Sequence, residues 1–303
     1  MEESRNVNQK FSVADVIAKI LVILVFIILF VYCISLLLPV FWMIWSSFKD
    51  VTDFYLNPFG LPDQWFATNY LEAFNLLNLK LLKSGQYVYY NIWSMTGISL
   101  LYAGGKAILG MLWPMLVAYV VSTYDFKGKH VLYTINIIVM TIPIVGTLPA
   151  SLRVYQALGI YNNLFMNIVF PTGIPFGFAF ILFYGAFKSI SKSYSEAAFI
   201  DGAGHWTVMV QIVLPMMIPT YVAQVLLSFI AHWNDYMPLI TYLPSYANLA
   251  FGMYMFQAEA ARTGVGMPHI LAGFVIVAIP TAVLWIVSQG LITSKIMVGG
   301  LKE

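Results

Sequence analysis

The sequence predicts an all-α membrane protein with six transmembrane helices, and its composition is the first observation behind this prediction. Hydrophobic residues make up 60% of the 303 residues, charged residues make up 9%, and the mean hydropathy is +0.81. Soluble globular domains carry about 25% charged residues, so this composition excludes a soluble domain. The net charge of +2, without a basic block, gives no indication of a nucleic-acid partner.

The length of the apolar runs is the second observation. A spanning helix needs about 20 predominantly apolar residues, and the predicted spans are Val16–Trp45, Tyr90–Tyr119, Val131–Leu148, Leu164–Phe187, Val213–His232 and Ile270–Ile292. The first run is free of charge from Ile20 to Phe48, and no small-residue cleavage site follows it. This pattern predicts a retained span instead of a signal peptide. No linker divides the chain, so residues 1–303 are predicted to form one transmembrane domain.

The placement of basic residues is the third observation, because cytoplasmic loops carry an excess of Lys and Arg. Six spans place both termini on the same side of the membrane. With the termini inside, nine basic residues are cytoplasmic and five are external. The nine are Arg5, Lys10, Lys19, Lys127, Lys129, Lys188, Lys192, Lys295 and Lys302, and the five are Lys49, Lys80, Lys83, Arg153 and Arg262. Both termini are therefore predicted to be cytoplasmic.

The second span contains the one basic residue predicted to lie within the membrane, Lys106. A lysine at a helix centre costs roughly 2.5–3.5 kcal/mol on insertion scales, so it is expected to face protein or water. It either pairs with a carbonyl or carboxylate, which is a structural role, or faces a watery path and favours an anionic or hydroxyl-rich solute.

The fourth span contains the run F-P-T-G-I-P-F-G from Phe170 to Gly177. Its prolines and glycines, among them Pro171, Gly173 and Pro175, are expected to interrupt the helical hydrogen bonds. A broken helix persists in a membrane only where protein or a water-filled cavity satisfies the backbone. The interruption is either a packing kink or part of a path through the membrane.

A polar, small-residue segment, Ser193–Pro215, lies between the fourth and fifth spans. The S-x-x-E spacing of Ser193 and Glu196 predicts a capping box, and Gly202 is expected to end this helix in the left-handed conformation. A second helical piece is predicted from about Trp206 until Pro215 disturbs it. The alternative is an ordinary cytoplasmic loop.

The segment also carries a recognisable pattern, E-A-A-x-x-D-G-A followed by W and I-x-L-P. It resembles the loop of permease subunits of binding-protein-dependent ABC importers, in which this loop is the coupling helix that docks in a cleft of the ATPase. The departure is Met209, where phenylalanine is common. The resemblance implies ATPase coupling by Glu196, Ala197, Ala198, Asp201, Gly202, Ala203, Gly204, Leu214 and Pro215.

Further motifs extend the resemblance over the whole chain, towards the smaller permease of maltose-type systems. These are N-P-x-x-L-P at Asn57, the Asn69-Tyr70 pair, F-K-G-K at Phe126 and W-N-D-Y-M-P-L at Trp233. In the last motif Asn234 and Asp235 either cap the helix or border the solute path at its external mouth. The candidate path residues are thus Lys106, Pro171, Gly173, Pro175, Asn234 and Asp235.

The resemblance implies a type I ABC importer permease with a cytoplasmic coupling helix between spans four and five. Its solute would be a sugar, a di- or oligosaccharide, with an acidic sugar left open by Lys106. The expected partners are a second permease, an ABC ATPase dimer that holds ATP and Mg, an extracytoplasmic binding protein and membrane lipid. The expected location is a bacterial or archaeal cytoplasmic membrane.

The sequence contains no catalytic or cofactor motif. It has no G-x-x-x-x-G-K-[ST] phosphate loop and no G-x-S-x-G elbow, its four histidines lack metal-ligand spacing, and Cys33 is expected to be a buried, inert thiol. We therefore expect no enzyme and no cofactor bound by this chain. The rival function is an ion-coupled secondary transporter. It is disfavoured because every Asp and Glu lies in a loop, a tail or a span end, whereas such carriers place acids inside spans.

Overall fold

The structure is a computed structural model that describes residues 13–142, 146–170 and 176–296. Most of this part of the chain is helical. The helices are α1 Val13–Ser46, α2 Val51–Leu56, α3 Thr68–Leu76, α4 Ile92–Thr123, α5 Lys129–Thr141, α6 Leu148–Ala157, α7 Leu164–Val169, α8 Phe178–Ser189, α9 Ser193–Ile200, α10 His205–Thr207, α11 Leu214–Asn234, α12 Met237–Tyr242, α13 Leu249–Thr263 and α14 Met267–Ile296. A π-helical turn, Val208–Val213, joins α10 to α11, and a hairpin of β1 Leu79–Lys83 and β2 Gln86–Tyr90 precedes α4.

Four helical stretches of the described chain are long and apolar enough to cross a bilayer. They are Ile17–Ser46, Ile92–Thr123, His205–Asn234 and Met267–Val287. Even the shortest, with 21 residues, reaches about 30 Å at 1.5 Å per residue, which is the thickness of the hydrocarbon core. The four stretches coincide with the predicted first, second, fifth and sixth spans.

The third and fourth predicted spans do not form continuous helices. Helix α5 has 13 residues, or about 20 Å, and ends at Thr141, well short of the predicted Leu148. The segment Leu164–Phe187 divides into α7 and α8, on either side of the Pro- and Gly-containing run. Where α8 begins, the Gly177 amide donates to the side-chain oxygen of Asn136, which is fully buried on α5. Protein therefore satisfies one of the backbone groups at the interruption, as a broken helix in a membrane requires.

The fifth span begins at His205, eight residues before its predicted start at Val213. The prediction ended the preceding helical piece at Pro215 because proline lacks an amide proton and clashes with the carbonyl four residues back. The π-helical turn Val208–Val213 lies directly before this proline. A π turn bonds to the residue five positions away, and this wider spacing lets the helix continue through Pro215.

The hairpin corrects the prediction of an all-α chain. Its strands pair antiparallel from Leu79 opposite Tyr90 to Lys83 opposite Gln86. The two-residue turn at Ser84 and Gly85 has φ values of 51° and 82°, and positive φ at both positions is the condition for the tight turn that hairpins favour. The Ser-Gly pair between alternating residues was the available sequence signal.

Helix α4 is central, and α7, α8, α11 and α13 all pack against it. Two buried clusters follow along it. The cluster at the hairpin end of α4, which we call the outer core after the predicted orientation of the chain, includes Met95, Tyr102, Trp233, Leu239 and Leu249. The cluster at the other end of α4, beside residues 193–215, is called the inner core and includes Tyr119, Phe180, Phe183, Val213 and Met217.

Helix α1 packs against α14 but stays exposed over its whole apolar length. Cys33, expected to be buried, is therefore exposed on it. An apolar helix without a covered face is suited to lipid or to another membrane helix.

Candidate functional site

The segment 193–215 begins with α9, and the start of this helix differs from the predicted capping box. Lys192 occupies the N-cap position with helical backbone angles and makes no side-chain capping bond. Ser193 is consequently the first helical residue, and its amide donates to the Ser191 hydroxyl at 3.3 Å. The Glu196 amide donates to the Lys192 carbonyl at 3.0 Å. The predicted bond from the Glu196 amide to the Ser193 hydroxyl is therefore not formed, and the Ser191 hydroxyl accepts from the amide of the first helical residue instead.

The end of α9 is as predicted. Gly202 has a φ of +84°, the left-handed conformation that glycine adopts without strain. Its amide donates to the Phe199 carbonyl at 3.1 Å, and the Ala203 amide donates to the Ala198 carbonyl at 2.9 Å. These two bonds form a Schellman motif, which ends the helix sharply and turns the chain back towards the membrane helices.

A chain of ring contacts connects this segment with the membrane helices. Phe199 and His205 lie 4.9 Å apart between ring centroids, and His205 lies 5.6 Å from Tyr124. Tyr124 contacts Tyr119 at 5.8 Å, and Tyr119 contacts Phe187 at 5.4 Å. These rings belong to the segment, to α8 and to α4 with the residue that follows it, so the segment packs directly against two helices of the bundle.

Small residues on the inner side of the segment complete this packing. Ala198 and Ala203 are half-buried against the inner core, as is Leu214 at the start of α11. Ala197, Gly202, Gly204 and Pro215 are exposed. The small residues of the segment thus lie partly against the rest of the protein and partly on its exposed surface.

Large apolar residues on the open side of the segment were missed by the sequence analysis. Ile200 is 86% exposed, Trp206 is 73% exposed and Tyr194 is 53% exposed. Exposed apolar side chains that cluster on one surface mark interaction sites. The available signal was an isoleucine and a tryptophan on either side of the polar D-G-A-G-H turn.

The carboxylates of the segment are available to a partner. Glu196 and Asp201 are exposed, and neither takes part in an ion pair among the described residues. Nearby, Lys129 forms an ion pair with Asp125 at 2.6 Å. The hydrogen bond and the charge of Lys129 hold the pKa of the Asp125 carboxyl below its usual value. A cleft of about 220 Å³ separates α9 from the ends of α4 and α8, with Glu196 and Lys192 on its wall.

The structure places Lys106 inside the helix packing of this chain. Its side chain is buried and its ammonium nitrogen makes no hydrogen bond within the described residues. Asn167 on α7, which the sequence analysis missed, is also buried, and neither polar atom of its amide has a partner there. Both lie at the contact of α4 with α7, where Gly105 packs so closely against Ile168 that no Cβ fits.

Tyr102 on α4 and His232 on α11 are two more polar residues close to Lys106. The Tyr102 ring, one turn before Lys106, contacts the His232 ring with 6.1 Å between centroids. Lys106 is close enough to His232 for their charges to interact. A buried polar group without a partner costs about 1–3 kcal/mol. Unpartnered groups inside a membrane protein are therefore candidates for contact with a solute.

The other candidate path residues make local bonds or lie outside the described part of the chain. Asn234 is exposed and donates to the Ile230 carbonyl at 2.9 Å, and Asp235 accepts from the Met237 amide at 3.1 Å. These bonds cap the end of α11 and the start of α12. Pro171, Gly173 and Pro175 lie outside the described residues.

Residues 110–294 match the sequence profile of a protein family described as "Binding-protein-dependent transport system inner membrane component". The match covers more than half of the 303 residues and includes all of 193–215. The chain belongs to this family. The permease is thus an inner-membrane transport subunit, and this membership favours the importer over the ion-coupled secondary transporter.

Relatives of the permease match it over most of its length. It is 28% identical over 281 residues to the probable ABC transporter permease protein YurM of Bacillus subtilis, with 92% of this chain and 88% of YurM covered. It is 26% identical over 279 residues to the diacetylchitobiose uptake system permease protein NgcG of Streptomyces coelicolor, with 90% and 86% covered.

A solved structure shows the fold of the permease. It is a crystal structure of a bacterial ABC transporter involved in the import of the acidic polysaccharide alginate. The permease matches one of its chains with a TM-score of 0.69 at 21% sequence identity, over 92% of this chain and 98% of that chain. The helix arrangement described above is therefore that of an ABC importer permease.

Proposed function

We propose that this permease couples an ABC ATPase to sugar import through residues 193–215. The observation that carries the proposal is the construction of α9. One side of the segment is fixed to α4 and α8 by the ring contacts, and the other side presents Ile200 and Trp206 to the cytoplasm. A rigid element with an open apolar surface and two unpaired carboxylates is suited to dock in a protein cleft.

The proposed mechanism is a rigid-body transmission of force. A solute-loaded binding protein docks on the external loops, and the ATPase dimer, which holds ATP and Mg, closes inside the cell. Closure displaces α9, and the contacts of His205 and Tyr124 carry the displacement into α4. Access to the solute path then switches from the inside to the outside, and hydrolysis in the ATPase resets the inward state.

The proposed assembly contains two permeases, two ATPase subunits and one binding protein, in a bacterial or archaeal cytoplasmic membrane with both termini of this chain inside. We propose six crossings, in which the pairs α5–α6 and α7–α8 supply the third and fourth as broken helices. The exposed α1 supports a second permease, a larger homologue of this chain, since it offers apolar surface beyond what α14 covers. A homodimer is the alternative.

The proposed solute is a di- or oligosaccharide. This assignment is supported by similarity to a permease named for diacetylchitobiose uptake and by the fold of a transporter involved in alginate import. The buried ammonium of Lys106 is the feature that favours an acidic sugar, because a carboxylate would supply the partner that it lacks.

Reconstitution tests the proposed coupling. The complete importer in proteoliposomes is expected to concentrate solute only with ATP and Mg. The Trp206→Cys variant in a Cys33→Ser background is expected to react with an impermeant maleimide only from the cytoplasmic side. Accumulation by this chain alone without nucleotide would contradict the proposal, as would labelling of Trp206→Cys from outside.

The role of Lys106 in the path has its own test. The Lys106→Met variant keeps the length of the side chain and removes its charge, so uptake of an acidic oligosaccharide is expected to fall while ATPase assembly persists. Lys80→Met on the exposed hairpin is the matched control, with unchanged uptake expected. Unchanged uptake kinetics in Lys106→Met would exclude Lys106 from the path.

A further inference from the structure

A cavity of about 260 Å³ lies at the outer end of the helices, between the end of α11, α13 and α14. Four of its lining residues lie at positions i, i+3, i+4 and i+7 of α13, namely Ala250, Met253, Tyr254 and Gln257. Residues at this spacing share one face of a helix, so α13 turns a single stripe towards the cavity.

The cavity combines ring surface with amide groups. The Tyr236 and Tyr254 rings are stacked, with centroids 4.5 Å apart and planes at 15°. The stack covers one face of each ring, yet Tyr254 remains 43% exposed, so part of its ring surface is open to the cavity. The side-chain amide nitrogen of Asn234 donates to the Ile230 carbonyl, so its side-chain oxygen remains able to accept a hydrogen bond. Within the described residues, the Gln257 side chain makes no hydrogen bond.

We propose that this cavity is a carbohydrate subsite that holds one neutral sugar ring at the external mouth of the path. Sugar rings have an apolar C–H face that packs on aromatic rings and a rim of hydroxyl groups that bind amides. Tyr254 supplies the first kind of surface, and the Asn234 and Gln257 amides supply both donors and acceptors. The proposal rests on the proposed function and specifies where the sugar is first held by this chain.

The size and charge of the cavity set the kind of ring it takes. Its volume lies just below the roughly 300–1,000 Å³ of sites for drug-sized ligands, so it accommodates one ring of an oligosaccharide and not the whole molecule. Among the described residues, no Asp, Glu, Lys, Arg or His lines it. The subsite therefore recognises hydroxyl and C–H groups, and a charge on the solute is left to Lys106.

A labelling experiment tests the subsite in the complete importer. Gln257→Cys in the Cys33→Ser background is labelled from outside with an impermeant maleimide during turnover. The probes are N,N′-diacetylchitobiose, maltotriose and arabinotriose. At a probe concentration about ten times its Kd, most of the sites are occupied. A transported probe is therefore expected to slow labelling at least threefold. The same variant without a probe sugar is the control and is expected to label at the unprotected rate.

Transport by ring variants supplies an independent measurement. Tyr254→Ala is expected to reduce the uptake rate at least fivefold, and Tyr254→Trp, which keeps a ring for stacking, is expected to retain most of it.

The outcomes separate the subsite from the proposed function. Uptake of a probe without protection of Gln257→Cys overturns the subsite and leaves the proposed function standing. Protection by the sugar-free binding protein alone also overturns the subsite, because the cavity is then a protein contact. If no probe is taken up, the sugar assignment fails and the subsite fails with it.

Discussion

At the outer end of the helices the connecting loops are tied together by buried polar side chains, whereas at the inner end α9 buries none of its residues. Ser245 makes several of the hydrogen bonds that connect the outer loops. Its hydroxyl donates to the Leu82 carbonyl at 2.8 Å, its amide donates to the Asn162 side chain at 3.1 Å, and its carbonyl accepts from Tyr90 at 2.8 Å. These bonds join the hairpin, the α6–α7 turn and the loop before α13.

Asn248 makes a second set of hydrogen bonds at the outer end. Its side chain caps α13 by accepting from the Phe251 amide at 2.8 Å and donates to the Asp235 carbonyl at 3.0 Å. The neighbouring Leu249 amide donates to Ser99 on α4 at 2.8 Å. The loops around α13 are thereby fixed to the membrane helices.

The difference indicates what each end of the molecule does. The outer loops bond many of their polar side chains to one another and to α4. Within the described residues, the inner segment leaves two carboxylates without an ion pair, and Ile200 and Trp206 are exposed. Outer substitutions are therefore expected to affect stability, and inner ones are expected to affect coupling.

The largest effect is expected from reversing the inner charges. Glu196→Lys combined with Asp201→Lys should abolish uptake and co-purification of the ATPase, while the permease still inserts. Both carboxylates are exposed, so the cost in folding is small. Asp125→Lys alters a cytoplasmic carboxylate outside the segment and should retain the ATPase. Recovery of a fully active complex from the double variant would contradict docking by α9.

The second-largest effect on uptake is expected from a substitution at Gly202 that its backbone geometry does not tolerate. Gly202→Val places a β-branched residue at a φ of +84°, where such residues are outliers, and should lower uptake more than tenfold. Gly202→Asn is the matched control, because asparagine tolerates this conformation and open space surrounds the position. Equal uptake by the two variants would show that the turn is not required.

At the outer end, Ser245→Ala should act on stability alone. It removes the hydroxyl that donates to the Leu82 carbonyl and accepts from the Asn162 side-chain amide. One group on the hairpin and one on the α6–α7 turn therefore lose a partner, at about 1–3 kcal/mol for each group that is buried. The melting temperature in detergent should fall, and ATPase co-purification should persist. Ser189→Ala removes an exposed bond within its own helix and should change neither quantity. A loss of ATPase co-purification in Ser245→Ala at an unchanged melting temperature would contradict the assignment of stability to the outer end and of coupling to the inner end.

Close packing in the outer core is tested by adjacent glycines on α4. Gly105→Ala would meet Ile168, whereas Gly104→Ala meets nothing within 4 Å. Overpacking costs typically about 1–3 kcal/mol, so thermal unfolding should separate the two variants. A helix-stabilising effect of Gly104→Ala is expected. Equal destabilisation by both would show that α4 and α7 are not in close contact.

The smallest effect concerns the Asp125–Lys129 pair near the inner core. Because the pKa of Asp125 is lowered from 3.8 by Lys129, the stability it supplies is present above that pH and is lost as the pH falls through the lowered value. Asp125→Asn should therefore melt slightly below the unmodified chain at neutral pH, and the difference should vanish in acid. A difference that grows on acidification would exclude the ion pair as its cause.

Local patterns in the sequence predicted several features because they depend on neighbouring residues alone. The left-handed turn at Gly202 follows from the backbone freedom of one residue. The interruption of the fourth span follows from proline and glycine, which lie close together in the chain. The family followed from the E-A-A pattern and its continuation to Pro215.

Other features depended on partners that are distant in the chain. The S-x-x-E spacing could not show that the N-cap position falls on Lys192 and that Ser193 is already the first helical residue. The π turn that carries a helix through Pro215 and the hairpin before α4 were also missed. Asn167 appears as a polar residue in an apolar run, and only the fold shows that it lies buried without a partner.

The sequence by itself determined the membrane class, the four continuous apolar helices and the family, since hydrophobicity, length and motif spacing are properties of the chain alone. The tertiary structure decided which side chains remain open. Burial and hydrogen bonding depend on which helices meet. Only the fold therefore placed Tyr254 beside a cavity, Lys106 without a hydrogen-bond partner among the described residues, and Ile200 on the surface.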